Sequence, residues 1–199
     1  MELDFSVPSS SLEESGNLSK AGDPNFAPQP KGPQTFIKNP SRINKVLLLS
    51  PPAYTIKSSR DINPLPPIGI GLLAAVLEKN NYQVKILDCL VRGWNQEEET
   101  LANKDIVRVG LSNDQIKKYI QEYQPDVVGV SCMFSVQHKI YPKIFAAIKS
   151  ANPNIITVAG GSHVTVCSKE VLEDSNCDYI IAGEGEESFL DFLDTIQAY

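Results

Sequence analysis

Four short apolar runs within residues 45–199 end on turns built of small or polar residues, and that repetition constrains the fold more than any other feature. KVLLL runs into Ser50-Pro51-Pro52, DVVGV into Ser131-Cys132, IITVA into Gly160-Gly161-Ser162-His163, and DYIIA into Gly183-Glu184-Gly185-Glu186. Each run is brief, bounded and largely β-branched, as a strand buried on both faces must be. A helix-like stretch follows each turn. Strands linked through helices run parallel, so the turns gather at one edge of one sheet. In such folds that carboxyl edge forms the ligand crevice. Four small-residue turns there point to a large flat ligand that needs close approach to the backbone.

Strands are expected over 45–50, 83–88, 126–130, 155–159 and 178–182. Helices are expected over 68–80, 113–123, about 137–150, 167–173 and 187–197. In the first helix Leu72, Leu73, Val76 and Leu77 form one face, and Ser112 caps the second. A Pro-rich loop fills 51–67. Residues 89–111 are less regular, with 96–99 read as a solvated helix start. This alternation predicts a flavodoxin-like α/β domain, a five-stranded parallel sheet in the order 2-1-3-4-5 with helices on both faces.

Residues 1–43 hold six of the fourteen prolines amid Ser, Asn, Gln and Gly. Such a segment buries too little apolar surface to offset its ordering entropy and reads as a disordered tail, with the domain spanning 44–199. The net charge of −6 and the lack of any Lys/Arg block argue against nucleic-acid or anionic-membrane surfaces. No apolar run approaches the roughly 20 residues of a membrane span. The amino terminus has neither the basic nor the apolar region of a secretory signal. Cys89, Cys132, Cys167 and Cys177 form no C-x-x-C pair, and a cytoplasmic, reducing setting is the simplest reading.

Several familiar motifs fail on context. Gly69-Ile70-Gly71-Leu72-Leu73-Ala74 matches G-x-G-x-x-A, but eighteen residues separate it from Ser50. A dinucleotide fingerprint requires the first glycine directly after the strand. Close packing of a Gly-rich turn on the sheet is the plainer reading. A phospho-receiver needs an acceptor aspartate after the third strand, where Val130-Ser131 stands. Asp88, after the second strand, either meets a ribose-like hydroxyl or caps its own turn. No P-loop is present. His138 and His163, the two histidines, have no partner at metal-ligand spacing. His138 reads as an exposed helix-start residue, whereas His163 lies at the ligand edge as either a contact or a turn residue. Glu186 suits a helix amino terminus. Glu184, bracketed by Gly183 and Gly185, could accept hydrogen bonds from a ligand.

Taken in order, SPPAY, PLPPIGIGLLAAVLE, YQVKILD, PDVVGVS, AGGSHVT and CDYIIAGEGEESF closely resemble one family. It is the cobalamin-binding domain that precedes the barrel of radical S-adenosylmethionine enzymes of the magnesium-protoporphyrin monomethyl ester cyclase type. The resemblance covers residues 45–199 and implies a corrin ring lying across the carboxyl edge, its nucleotide tail entering beside the sheet. Small residues at Gly129, Ser131, Gly160, Gly161 and Gly183 suit such a channel. By resemblance Ser131, Gly160 and Gly161 line it, while Pro51, Pro52 and Tyr54 face the corrin. Gly183, Glu184 and Gly185 meet the tail or the propionamide edge. The cofactor-binding set implied also includes Ser50, Pro67, Gly69, Cys132, Ser162, His163, Thr165 and Glu186.

Methionine-synthase-type cobalamin domains carry D-x-H-x-x-G after the first strand, but residues 51–67 contain no histidine. The resemblance therefore implies cobalamin bound with no imidazole from that loop. The family's iron–sulfur cluster needs a C-x-x-x-C-x-x-C triplet. The cysteine spacings of 43, 35 and 10 residues supply none, so ligands for the cluster and its S-adenosylmethionine are lacking. The expected role is a cobalamin module for methyl transfer or a radical reaction, with a radical S-adenosylmethionine barrel as partner in cis or in trans. Two other readings stay open: a flavodoxin-like domain holding FMN or a nucleotide, and an interaction domain that has lost its ligand.

Overall fold

The computed structural model describes residues 43–198, apart from 60, 61, 63, 100–104 and 175. The tail read at 1–43 therefore lies almost wholly outside the described residues. Its last member, Ile43, is buried in the core.

The expected sheet is present. Strands β1 (Lys45–Ser50), β3 (Gln83–Asp88), β6 (Val127–Ser131), β7 (Ile156–Gly160) and β8 (Tyr179–Ile181) form a parallel sheet in the order β3-β1-β6-β7-β8. This is the predicted 2-1-3-4-5 arrangement. Register is fixed by pairs such as Leu49↔Val130 and Ser131↔Gly160. Because side chains alternate across a strand, β1 sends Val46 and Leu48 to one face and Leu47 and Leu49 to the other. The first face packs under α1 (Ile68–Lys79) and α7 (Gly185–Ala198) through Ile70, Leu77, Phe189 and Leu193. The second packs under α3 (Asn113–Tyr123) and α4 (Tyr141–Ala151) through Ile116, Ile120, Ile144, Phe145 and Ile148. The start of α3 is a full capping box. Ser112 Oγ accepts from Gln115 N at 3.2 Å and Gln115 Oε1 accepts from Ser112 N at 2.9 Å.

The sequence reading missed a second sheet. Strands β2 (Ala53–Ile56), β5 (Ile106–Val109) and β4 (Glu97–Glu99) pair antiparallel in that order. The stretch read as a solvated helix start is thus β4, preceded by the four-residue α2 (Cys89–Arg92), and the loop read over 51–67 contains β2. Three glutamates favour helix weakly, and pairing with Val107 and Val109, both buried, overrides that preference. The helix expected from about 137 begins at Tyr141 after a 3₁₀ turn (Ser135–Gln137). Pro142 lacks an N–H and fits only the first turn. The helix expected over 167–173 is two, α5 (Ser162–Val166) and α6 (Ser168–Asp174). The last helix starts two residues early, at Gly185.

Candidate functional site

Strand parity builds the floor of the candidate site. Ser50, Ser131 and Gly160 end β1, β6 and β7, and each lies in phase with the residues that face α1 and α7. Each is half-buried. Above this floor the helix starts are open. A Cβ built at Gly69, Gly71, Gly183 or Gly185 meets nothing within 4 Å, and one at Gly160 meets only Ile181 O at 3.9 Å. Gly69 and Gly71 therefore do not serve close packing of α1 on the sheet, which was the plainer reading of that motif. One level deeper the recess is closed. A Cβ at Gly129 would lie 3.0 Å from Leu48 Cδ2 and 3.1 Å from the Phe189 ring. Gly129, expected along the channel, instead accommodates Phe189.

The carboxyl-edge connections are stitched together through α5. Cys132 N donates to Gly160 O at 2.7 Å and His163 N to Cys132 O at 3.1 Å. His163 is 5% exposed; its Nδ1 lies 3.0 Å from Ser135 Oγ and its ring packs on Tyr141 at 5.4 Å. Tyr141 in turn accepts from Phe134 N at 3.0 Å and donates to Phe134 O at 2.8 Å. Burial pushes the Tyr141 hydroxyl pKa well up, against the lowering effect of its bond to Phe134 O. Towards the other side, Thr165 Oγ1 donates to Gly161 O at 3.2 Å and accepts from Gly183 N at 3.0 Å.

Several predicted residues are oriented otherwise than expected. His163 belongs to a helix and points inward, so its imidazole does not reach the edge. Cys132 is wholly buried, and burial, then Cys177 beside it, raises its thiol pKa far above the usual range. Pro52 is buried against Gly110, where an added Cβ would lie 2.7 Å from Pro52 Cβ. Tyr54 lies in β2, its backbone bonded both ways to the Gln137 amide and its hydroxyl 3.3 Å from Lys143 Nζ. Its half-buried ring packs against the core cluster that includes α3 and α4 residues. Asp88 caps its own turn, accepting from Val91 N at 3.0 Å. Pro51 and Pro67 are half-buried, and Ser162, Glu184 and Thr165 are exposed at the edge; Glu186, half-buried, opens α7 beside Gly185. His138 is exposed, its Nδ1 donating to Ser135 O at 2.9 Å.

The sequence reading passed over an apolar rim. Met133, Phe134 and Val136 after β6, Val166 in α5, and Leu65 and Ile68 at the start of α1 are all exposed, Phe134 at 66% and Val136 at 81%. All belong to connections at the carboxyl edge. The signal was available: apolar residues stand in CMFSV and LPPI, where turns ordinarily carry polar ones. Two hollows of about 410 and 300 Å³ lie at the opposite edge, lined by residues such as Asn80, Tyr82 and Asp194 or Gln121, Gln124 and Asn152. The carboxyl edge has small residues at its strand ends and exposed apolar ones in its connections.

Fold and site together define a doubly wound α/β module with small residues at the carboxyl ends of its strands. The B12 binding domain model matches residues 62–193, and the chain belongs to that family. It is 39% identical over 153 residues to the cytidylyl-2-hydroxyethylphosphonate methyltransferase of Streptomyces wedmorensis, covering 75% of this chain and 28% of the relative. It is 33% identical over 132 residues to the anaerobic magnesium-protoporphyrin IX monomethyl ester cyclase of Rubrivivax gelatinosus, covering 66% and 21%. The chain thus spans less than a third of the length of these relatives. Among solved structures, the methanol:cobalamin methyltransferase complex MtaBC of Methanosarcina barkeri matches at TM-score 0.51 and 14% identity, covering 81% of this chain and 49% of that one. A cobalamin-binding protein of Desulfitobacterium hafniense DCB-2 matches at 0.50 and 14%, covering 79% and 59%. The resemblance read from motif order therefore holds. Among the described residues no helix is long and apolar enough to cross a membrane.

Proposed function

We propose that this chain binds cobalamin on the carboxyl edge of its parallel sheet and presents it for methyl transfer or a radical reaction completed by a separate catalytic unit. That unit is a radical S-adenosylmethionine barrel, in the same polypeptide or in another; the methyltransferase and cyclase names of the relatives support this reading. The observation that carries the proposal is the carboxyl edge itself. Ser50, Ser131 and Gly160 form a small-residue floor, Gly69, Gly183 and Gly185 leave the space above it clear, and Phe134, Val136 and Ile68 offer apolar contact to the faces of a ring. A corrinoid has this complementary character, a broad apolar disc edged with amides. When bound, the cofactor supplies the carrier chemistry, and the protein supplies position and exclusion of water.

The loop after β1 would supply no imidazole to the cobalt. The β1 connection has no histidine, and His163 is held inward by Ser135 and Tyr141. The flavin reading loses support because Thr55, which would serve a phosphate loop after β1, is paired in β2 with Val107. Passing the full chain with hydroxocobalamin through a desalting column tests the proposal, with the cobalt both oxidised and reduced. A coloured protein fraction in at least one state supports it. A colourless fraction in both states overturns it.

A further inference from the structure

We infer that Thr165 is a positioning residue whose hydroxyl latches the Gly161 turn to the Gly183 turn and so fixes the spacing of these turns, where the resemblance places the nucleotide tail. The inference rests on the cobalamin reading and deepens it.

Two backbone positions flank the β7–β8 end of the edge, and both have conformations that other residues rarely adopt. Gly161 has φ 106° and ψ 175°, in a region that only glycine adopts readily. Gly183 has φ 83°. At Gly161 space is also short, since a Cβ would lie 2.9 Å from Cys132 O. At Gly183 nothing lies within 4 Å, so glycine there serves conformation alone. These turns are 22 residues apart in sequence, and β8 between them is a three-residue edge strand. Gly183 is already past its end, so the pairing of β7 with β8 does not hold it.

Thr165 supplies the missing tie. Its one hydroxyl proton goes back to Gly161 O, the i−4 carbonyl, and its oxygen receives Gly183 N–H. With that proton committed, the hydroxyl is not a donor to a ligand, although its place at the edge resembles that of a contact residue. Gly183 leads directly into Gly185, the first residue of α7. Fixing Gly183 against Gly161 therefore fixes the start of α7 against the end of β7, and Gly160 with its open side lies between them. His163 makes the equivalent tie in the other direction, to the connection after β6.

The test compares cobalamin with cobinamide, the corrinoid without the nucleotide tail, on the full chain and two variants. Thr165→Val keeps the shape and loses the hydroxyl; Thr165→Ser keeps the hydroxyl. One hydrogen bond of this kind corresponds to about a three- to tenfold change in Kd. Thr165→Val should weaken cobalamin by that factor while leaving cobinamide unchanged, and Thr165→Ser should restore wild-type affinity. Equal weakening of both corrinoids, an unaltered cobalamin Kd in Thr165→Val, or failure of serine to rescue each overturns the latch. A wild-type chain that binds neither corrinoid overturns the cofactor reading. The latch is then read from the exchange rate of the Gly183 amide proton in the free protein. Faster exchange in Thr165→Val than in wild type or Thr165→Ser supports it, and equal rates overturn it.

Discussion

The two ends of the same five strands are built on opposite plans. At the amino edge carboxylates bind the strands together. Asp126 Oδ2 accepts from Asn44 N at 2.9 Å and Lys45 N at 2.8 Å, joining the approaches to β6 and β1. Asp178 Oδ2 accepts from Lys149 Nζ at 2.5 Å and Thr157 N at 2.9 Å, with the buried Thr157 hydroxyl also 2.9 Å away. At the carboxyl edge the strands leave on the small or polar Ser50, Ser131 and Gly160. Instead, backbone bonds and the side chains of His163 and Thr165 hold the turns, and apolar side chains stand in water. Carboxylate ties lie at one end and exposed apolar surface at the other, the division expected where one edge serves a ligand.

Substitutions at the two edges should therefore separate stability from binding. The largest effect falls where the distinction breaks down. Gly161→Leu forces a side chain into a conformation that costs about 1–3 kcal/mol and against Cys132 O, and overpacking adds a further ~1–3 kcal/mol. Urea unfolding should show a loss of several kcal/mol together with loss of cobalamin retention. Wild-type stability would refute the positive-φ requirement at Gly161.

Next comes Asp178→Ala. Removing this carboxylate leaves Thr157 N–H without its acceptor and Lys149 with only Ile155 O, and should cost about 2–3 kcal/mol in urea unfolding. Cobalamin affinity, measured where the variant is still folded, should not change. A variant as stable as wild type would mean that the amino-edge network contributes little.

The buried thiols probe the core beneath both edges. Burial, more than neighbouring charge, pushes the Cys177 pKa from 9.0 up to about 12, and Cys89 and Cys132 are shifted in the same direction. The folded protein keeps these protons after the unfolded chain has released them. Stability is thus insensitive to these groups below pH 9 and falls as pH rises from 9 towards 12, by up to about 1.4 kcal/mol per unit for each thiol. Chemical denaturation at pH 8, 9, 10 and 11 should show that decline, and Cys177→Ala should make it shallower. A flat profile would contradict the burial of these thiols.

A smaller, one-sided effect is expected at the rim. Phe134→Ser exposes no core and should alter stability by less than about 0.5 kcal/mol. It should weaken cobalamin binding severalfold. Unchanged affinity would remove Phe134 from the contact surface.

What the chain discloses on reading follows the same division. The parallel sheet was legible because its strands are continuous apolar runs whose small-residue ends repeat. The second sheet was not: AYTI, EEE and IVRV are three or four residues long, and β2 meets its partner only some fifty positions later. At Gly160 and Gly183, expected as small residues along a channel, an added Cβ would meet no close neighbour. The filling of the Gly129 recess by Phe189 was illegible, since it depends on where α7 crosses the sheet. The inward turn of His163 was likewise set by Ser135 and Tyr141, more than twenty residues upstream. Local pattern thus disclosed the parallel sheet and its common edge, while side-chain direction at that edge was decided by neighbours remote in sequence.

The most direct measurement is equilibrium dialysis of hydroxocobalamin against the wild-type chain, Gly160→Val and Asp178→Ala. A Cβ added at Gly160 meets only Ile181 O at 3.9 Å and valine suits a strand end, so Gly160→Val should unfold like wild type while filling the space above the floor. Wild type and Asp178→Ala should bind with equal affinity and Gly160→Val more than tenfold less tightly. Equal binding by all three proteins, or none by the wild type, would contradict a cobalamin seat on the carboxyl edge.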